Sequence, residues 1–277
     1  MPKRVSRRVV RRLKGLYLDE ILAWKRQELD LDAQKMPEAD LRALAAMAPE
    51  PRDFVGTLRS NVPALVATIQ RASPARGLLA HGFDAAKMAR LYADAGADAL
   101  AVWTDRRYFQ GAAEDISAVR EAVPEKPVLA LDFVLSRRQV LAARAFGADA
   151  VVFFAGVLGE KNLTGMVEYA KSLGMAALVV IENEAETAGA IEASPDAIVV
   201  ASRDSRTFEL REERCESLSG FVSGKFFLCW EAEMELRRLI SAGAGGIITG
   251  ERVAGAPPRA VREWFRSFVE RREKDVR

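Results

Sequence analysis

The sequence predicts a single α/β domain, a (β/α)8 TIM barrel with a helical N-terminal extension, and three observations lead there. Eight short runs rich in Val, Ile, Leu and Ala recur from residue 64 onward. The stretches between them space their apolar residues three and four apart, which is the helical period. The units repeat every ~25–30 residues, and a chain of 277 residues is close to the size of one such barrel. Continuous apolar strands alternating with helices describe a parallel sheet covered on its faces.

The elements follow in chain order. "LDEILAWKRQEL" (18–29) has charges between helically spaced apolar residues, and "MPEADLRALAAM" (36–47) repeats that spacing after a Pro at an early helical position. Residues 1–50 are therefore expected to form the extension and residues 51–277 the barrel, together one structural domain. Strands are expected at "ALVATIQ" (64–70), "ALAVWTD" (99–105), "PVLALDF" (127–133), "AVVFFAG" (150–156), "AALVVIE" (176–182), "AIVVASR" (197–203), "KFFLCW" (225–230) and "GGIITG" (245–250). Between them, "AAKMARLYADAGA", "RRQVLAARAFGA", "LTGMVEYAKSLGM" and "EMELRRLISAGA" read as amphipathic helices closing on Gly, which accepts the left-handed C-terminal position. Reactive groups of such a barrel sit at the C-terminal ends of its strands.

Composition narrows the function classes. With 49 % apolar and 29 % charged residues and a net charge of +2, the chain is globular and has no global field for nucleic acid. The basic run "KRVSRRVVRRLKG" (3–15) reads as a solvated helix face, because no aromatic residues interleave with its charges. Two cysteines, Cys215 and Cys229, make no disulfide framework and fit a reducing, cytoplasmic setting. The apolar runs are of strand length, so no membrane span is expected. No metal-ligand spacing occurs. A small aromatic molecule is the expected partner, and the barrel is expected to be monomeric.

Local strings then become recognisable. "ASPARG" (72–77), "TDRRYFQG" (104–111), "DFV" (132–134), "SRDSRTFE" (202–209) and the N-terminal "LDEILAWKRQE" resemble indole-3-glycerol phosphate synthase over residues 18 to 265. That family closes an indole ring on an anilino-deoxyribulose phosphate, losing carbon dioxide and water, without metal or organic cofactor. Departures from its pattern are extensive. Its Glu-x-Lys in the first strand is Thr68 and Gln70, its acid lysine in the third is Leu131, and its base glutamate in the fifth is Val180. Its sixth-strand asparagine is Ala201, and its seventh-strand Glu-Ser-Gly falls on Phe227, Leu228 and Cys229, while Ser73, Arg203 and Gly250 remain. On these replacements the synthase activity is expected to be absent.

Matching the strands to the family pattern places Thr68, Gln70, Ala101, Trp103, Leu129, Leu131, Phe133, Val152, Phe154, Val180, Glu182, Ala201, Arg203, Phe227 and Cys229 inward. In strand 7 a one-residue slip would present Phe226, Leu228 and Trp230 instead. The inward set describes an apolar, aromatic pocket with one carboxylate. Desolvation would raise the pKa of Glu182 and make it a base, unless Arg203 pairs with it. Trp103 and a phenylalanine could sandwich a flat ligand, and Gln70, Thr68 or Ser202 could donate to a developing oxyanion. Asp132 should point toward the helices. This combination resembles the computationally designed Kemp eliminases built on this scaffold, so an engineered lyase with Glu182 as base is the expectation. The other reading is a silent barrel that binds a small aromatic ligand.

Overall fold

The computed structural model describes residues 17–231 and 236–275, so the basic run at 3–15 lies outside the described residues. Eight parallel strands close into a barrel. They are β1 (Ala64–Ile69), β2 (Ala99–Trp103), β3 (Val128–Leu131), β4 (Ala150–Phe154), β5 (Ala176–Ile181), β6 (Ala197–Ala201), β7 (Phe227–Trp230) and β8 (Gly246–Ile248). Each lies within one of the expected runs, and β8 pairs with both β7 and β1 to complete the ring. The helices before and around it are α1 (Tyr17–Lys35), α2 (Glu38–Met47), α3 (Phe54–Arg59), α4 (Ala85–Asp94), α5 (Glu114–Ala122), α6 (Arg137–Ala145), α7 (Glu160–Ser172), α8 (Thr187–Glu192), α9 (Arg214–Ser219), α10 (Leu236–Ser241) and α11 (Pro258–Asp275). A short antiparallel ribbon, Ala72–Ser73 with Gly77–Leu78, follows β1 and carried no signal in the sequence.

Strand alternation sorts the apolar residues into two cores. Val66, Ala101, Leu129, Val152, Val199 and Leu228 belong to the cluster inside the barrel, which also takes Leu18 and Ile21 of α1. Their strand neighbours Leu65, Val102, Val128, Phe153, Val200 and Cys229 pack beneath the helices. Gly246 lets β8 close against β1, since a Cβ there would lie 2.4 Å from the Ala64 carbonyl oxygen.

Carboxylates hold the opposite, N-terminal end. The short segments before β2, β4 and β6 each end in Asp, and each Asp accepts the first free N–H of the preceding strand. Asp98 takes Leu65 N at 2.8 Å, Asp149 takes Val128 N at 2.6 Å and Asp196 takes Ala177 N at 2.8 Å. Asp149 is fully buried and is neutralised by Arg52 at 2.6 Å and Arg120 at 2.7 Å. Arg272 of α11 does the same for Asp98 at 2.6 Å.

Cys215 of α9 and Cys229 of β7 are joined as a disulfide, with Cα atoms 5.8 Å apart. The expectation of two separate thiols is corrected: Cys229 faces outward, toward the helix that carries Cys215. Among the described residues, no helix is long and apolar enough to cross a membrane.

Candidate active site

At the C-terminal mouth, β2, β4 and β7 end in rings, and the segments after β2 and β3 add two more. Trp103 lies flat on Phe109, with centroids 3.5 Å apart and 5° between planes. Phe133 stacks 4.8 Å from Phe154. Trp230 stands 5.8 Å from Trp103 and 6.0 Å from Phe154. All of these rings are buried, and the slot they leave holds about 40 Å³, bounded also by Gln70, Glu182 and Ala201. That is room on the order of a water molecule or two. The expected aromatic sandwich is therefore already made by the protein: Phe109 occupies the face of Trp103 that a flat ligand would need.

Glu182 follows β5 directly. Both its carboxylate oxygens accept the Ser205 N–H, at 3.1 Å each. Burial pushes its pKa up to about 7; the Ser205 bond pulls the other way, and the Glu186 and Asp204 carboxylates add to the rise. Such a group holds and releases a proton near neutrality.

Arg203 does not pair with Glu182, because two other carboxylates claim it. Its guanidinium is in ion-pair contact with Glu231, lies 3.4 Å from Glu251 and donates to the Phe208 carbonyl at 2.6 Å. Glu231 also accepts the Glu251 N–H at 3.0 Å. To do so it adopts a left-handed φ of 55° and presses its carboxylate on Gly250, where a Cβ would lie 2.0 Å from the nearer oxygen. Burial pushes the Glu231 carboxyl up, with Arg203 opposing that rise. Glu231 and Glu251, which the sequence did not single out, wall the slot. The available signal was that strands 6, 7 and 8 are neighbours, so an Arg after one and Glu after the other two converge.

Beside the slot, and sharing Glu182, Phe154 and Ser205 with it, is a basin of about 460 Å³ between the β4, β5 and β6 loops. Arg206, Arg211 and Arg214 stand around it with Asn183, Glu186 and Asp204.

The remaining expected site residues divide. Leu131, Val180 and Ala201 lie inside the barrel, as does Phe133, and Gln70 is buried at the slot wall with its Nε2 unpartnered. Thr68 is taken up by Thr249: its hydroxyl donates to the Thr249 carbonyl and its N–H reaches the Thr249 hydroxyl at 2.9 Å. Phe227 and Cys229 face the helices, and Leu228 and Trp230 face the interior instead, which corrects the register of strand 7. Ser202 is buried between inward Ala201 and Arg203, on the opposite face of β6, so it is no donor to the slot. Asp132 points to the helical layer, where it meets Lys25 of α1 at 2.9 Å. Lys25 also binds Asp105 at 2.8 Å and Glu28 at 2.6 Å. Burial works against its charge, but Asp132, Asp105 and Glu28 together hold the ammonium well above its ordinary value. This network ties α1 to the tips of β2 and β3 and was not anticipated. Among the described residues no group of His, Cys, Asp or Glu is arranged to hold a metal ion.

Comparison with known proteins bears on what this site belongs to. The family model for indole-3-glycerol phosphate synthase matches residues 18–260. The synthase of Roseiflexus sp. (strain RS-1) is 36 % identical over 252 residues, covering 87 % of this chain and 94 % of the relative. The synthase of Parafrankia sp. (strain EAN1pec) is 38 % identical over 247 residues, covering 87 % and 92 %. A solved thiamine phosphate pyrophosphorylase from Pyrococcus furiosus shares the fold, with a TM-score of 0.57 at 19 % identity over 78 % of this chain and 98 % of that one. Likeness of this extent to natural synthases overturns the expected engineered Kemp-type lyase, and with it the expectation that synthase activity is absent. Nothing in the comparisons favours the silent aromatic-binding barrel. From its first described helix to the start of its last, the chain belongs to the indole-3-glycerol phosphate synthase family.

Proposed function

We propose that this barrel carries out a synthase-type ring closure, acting on an arylamino sugar phosphate with loss of carbon dioxide and water. The family match along the barrel supports the reaction class. The observation that carries it at the site is Glu182, a carboxyl at the strand tips with a pKa of about 7.

Closing the ring needs a proton for the ketone oxygen as the carbon–carbon bond forms, and another for the hydroxyl that departs as water. Leu131 and Val180 transfer neither, so the proton work falls to a group elsewhere at the mouth. Glu182, populated in both forms near neutral pH, can donate, accept the aniline proton and be reset without leaving its place. The Ser205 N–H steadies its ionised form at 3.1 Å. Because the rings fill the axial slot, the substrate body belongs in the 460 Å³ basin, which is of the size small-molecule sites have.

The test is direct: supply the anilino-deoxyribulose phosphate and follow indole fluorescence against pH, with Glu182→Gln alongside. Product should form with a rate governed by one ionisation close to 7, and the variant should lose about 10²–10⁴-fold. Absence of product above buffer, with the substrate intact, would overturn the reading. Equal rates in both proteins would remove Glu182 from it.

A further inference from the structure

We propose that Glu231 is a built-in competitor at the β7–β8 mouth. Its carboxylate stands where the oxygens of a ligand's anionic end would bind, so an anion enters only once that carboxylate swings out. The inference rests on the synthase reading only for the kind of anion, an organic phosphate.

The space it guards suits negative charge. About 260 Å³ opens on the β7–β8 side, and Arg76, Arg203 and Arg252 line it from three separate segments. Arg76 is exposed, and its side chain bonds to none of the described residues. Gly250 leaves the backbone there uncovered by a side chain of its own, and the N–H of Glu251 adds a main-chain donor. Guanidiniums beside a free-standing N–H are the donors that grip a phosphate.

Glu231 already uses two of them. One carboxylate oxygen is in contact with the Arg203 guanidinium, and the other accepts the Glu251 N–H at 3.0 Å. A ligand oxygen making either bond has to take the place of a Glu231 oxygen. The carboxylate also lies against the open backbone, since a Cβ built on Gly250 would meet it at 2.0 Å. With only 12 % of its side chain exposed, Glu231 fills this corner and does not merely fringe it.

The pose is held by those bonds. At φ 55° the residue sits in a region that non-glycine residues enter at a cost, and such strain persists where side-chain bonds outweigh it. Its own N–H is tied to the Ile248 carbonyl at 2.9 Å, so the side chain is the part able to leave. Arg203, Glu231 and Glu251 also line the axial slot, whose wall includes Glu182. An extended ligand reacting near Glu182 therefore reaches this corner with its far end.

The probe is sulfate, a dianion whose charge does not change near neutral pH, titrated by calorimetry at low ionic strength into the full chain. Glu231→Gly suits the left-handed φ and leaves Arg203 beside Glu251 at 3.4 Å. It should bind sulfate about tenfold or more tighter than wild type. Glu231→Gln keeps the side-chain length and an acceptor oxygen but not the charge. It should gain about threefold or more, and it serves as the test if the glycine variant does not fold. Adding Arg203→Gln to Glu231→Gly should cancel the gain. Three results overturn the inference: no sulfate binding by either Glu231 variant, equal affinity in wild type and both variants, or a gain that survives Arg203→Gln. A sulfate gain without ring closure by any of these proteins would sink the synthase reading alone. Ring closure by wild type with no sulfate gain in the variants would sink only this one.

Discussion

Leu131 and Glu182 mark how the mouth divides proton chemistry from packing. Leu131 is fully buried inside the barrel, while Glu182 keeps a titrating carboxyl at its edge. Holding that carboxyl has a measurable cost. Its pKa is raised from 4.5 to about 7, so between those values the folded chain keeps a proton that the unfolded chain has lost. Stability therefore falls as pH rises through that window, and the whole penalty is present above it. At roughly 1.4 kcal/mol per unit, it amounts to at most about 3 kcal/mol. Glu182→Gln should then be more stable than wild type by about 1–3 kcal/mol near pH 8 and nearly equal to it near pH 4, as read by urea titration. Equal stability at both values would mean that the carboxyl is not held neutral by the fold. A stabilised variant that loses ring closure is the trade expected at a site built for chemistry.

At the scale of elements, legibility in the sequence depended on contrast between neighbouring positions. β2 and β3 were read in the right register because the family strings TDRRYFQG and DFV anchor their ends. Strand 7 had no such anchor. In KFFLCW every residue after the lysine is apolar, both faces of the strand are covered, and burial alone cannot say which alternate set faces in. Phe109 and Phe208 were missed for a different reason, since they reach the slot from loops that carry no period. Arg203 was legible as a mouth residue, but its choice of Glu231 over Glu182 depends on a left-handed backbone turn that no local pattern announces. The corrected register gives strand 7 a covalent role, because outward Cys229 meets Cys215 of α9. The two lie 14 residues apart in sequence. A loop of that size stabilises by ~3 kcal/mol in the chain-entropy account, so adding reductant should lower the melting temperature by several degrees. An unchanged melting curve would show that the bond is not formed in solution.

Across the whole molecule, the two ends of the barrel do different work. The N-terminal end is locked by Asp98, Asp149 and Asp196, each tied to the start of a strand. Asp149→Ala leaves Arg52 and Arg120 without their shared buried partner and an N–H of β3 without its acceptor. It should cost about 3–5 kcal/mol, read by urea unfolding, while activity per folded molecule stays as in wild type. A loss below about 1 kcal/mol would show that the latch adds little to global stability. The C-terminal end is closed by rings. Trp103 and Trp230 sit 5.8 Å apart with their planes inclined at 33°. Two indoles so close and so fixed share their excited states, and their skewed transition dipoles absorb left- and right-handed circularly polarised light unequally, with opposite signs on either side of the common absorption band. The sealed mouth therefore carries its own spectroscopic signature. Any ligand that parts those two rings would erase the paired signal without a label, and one that settles beside them would leave it intact.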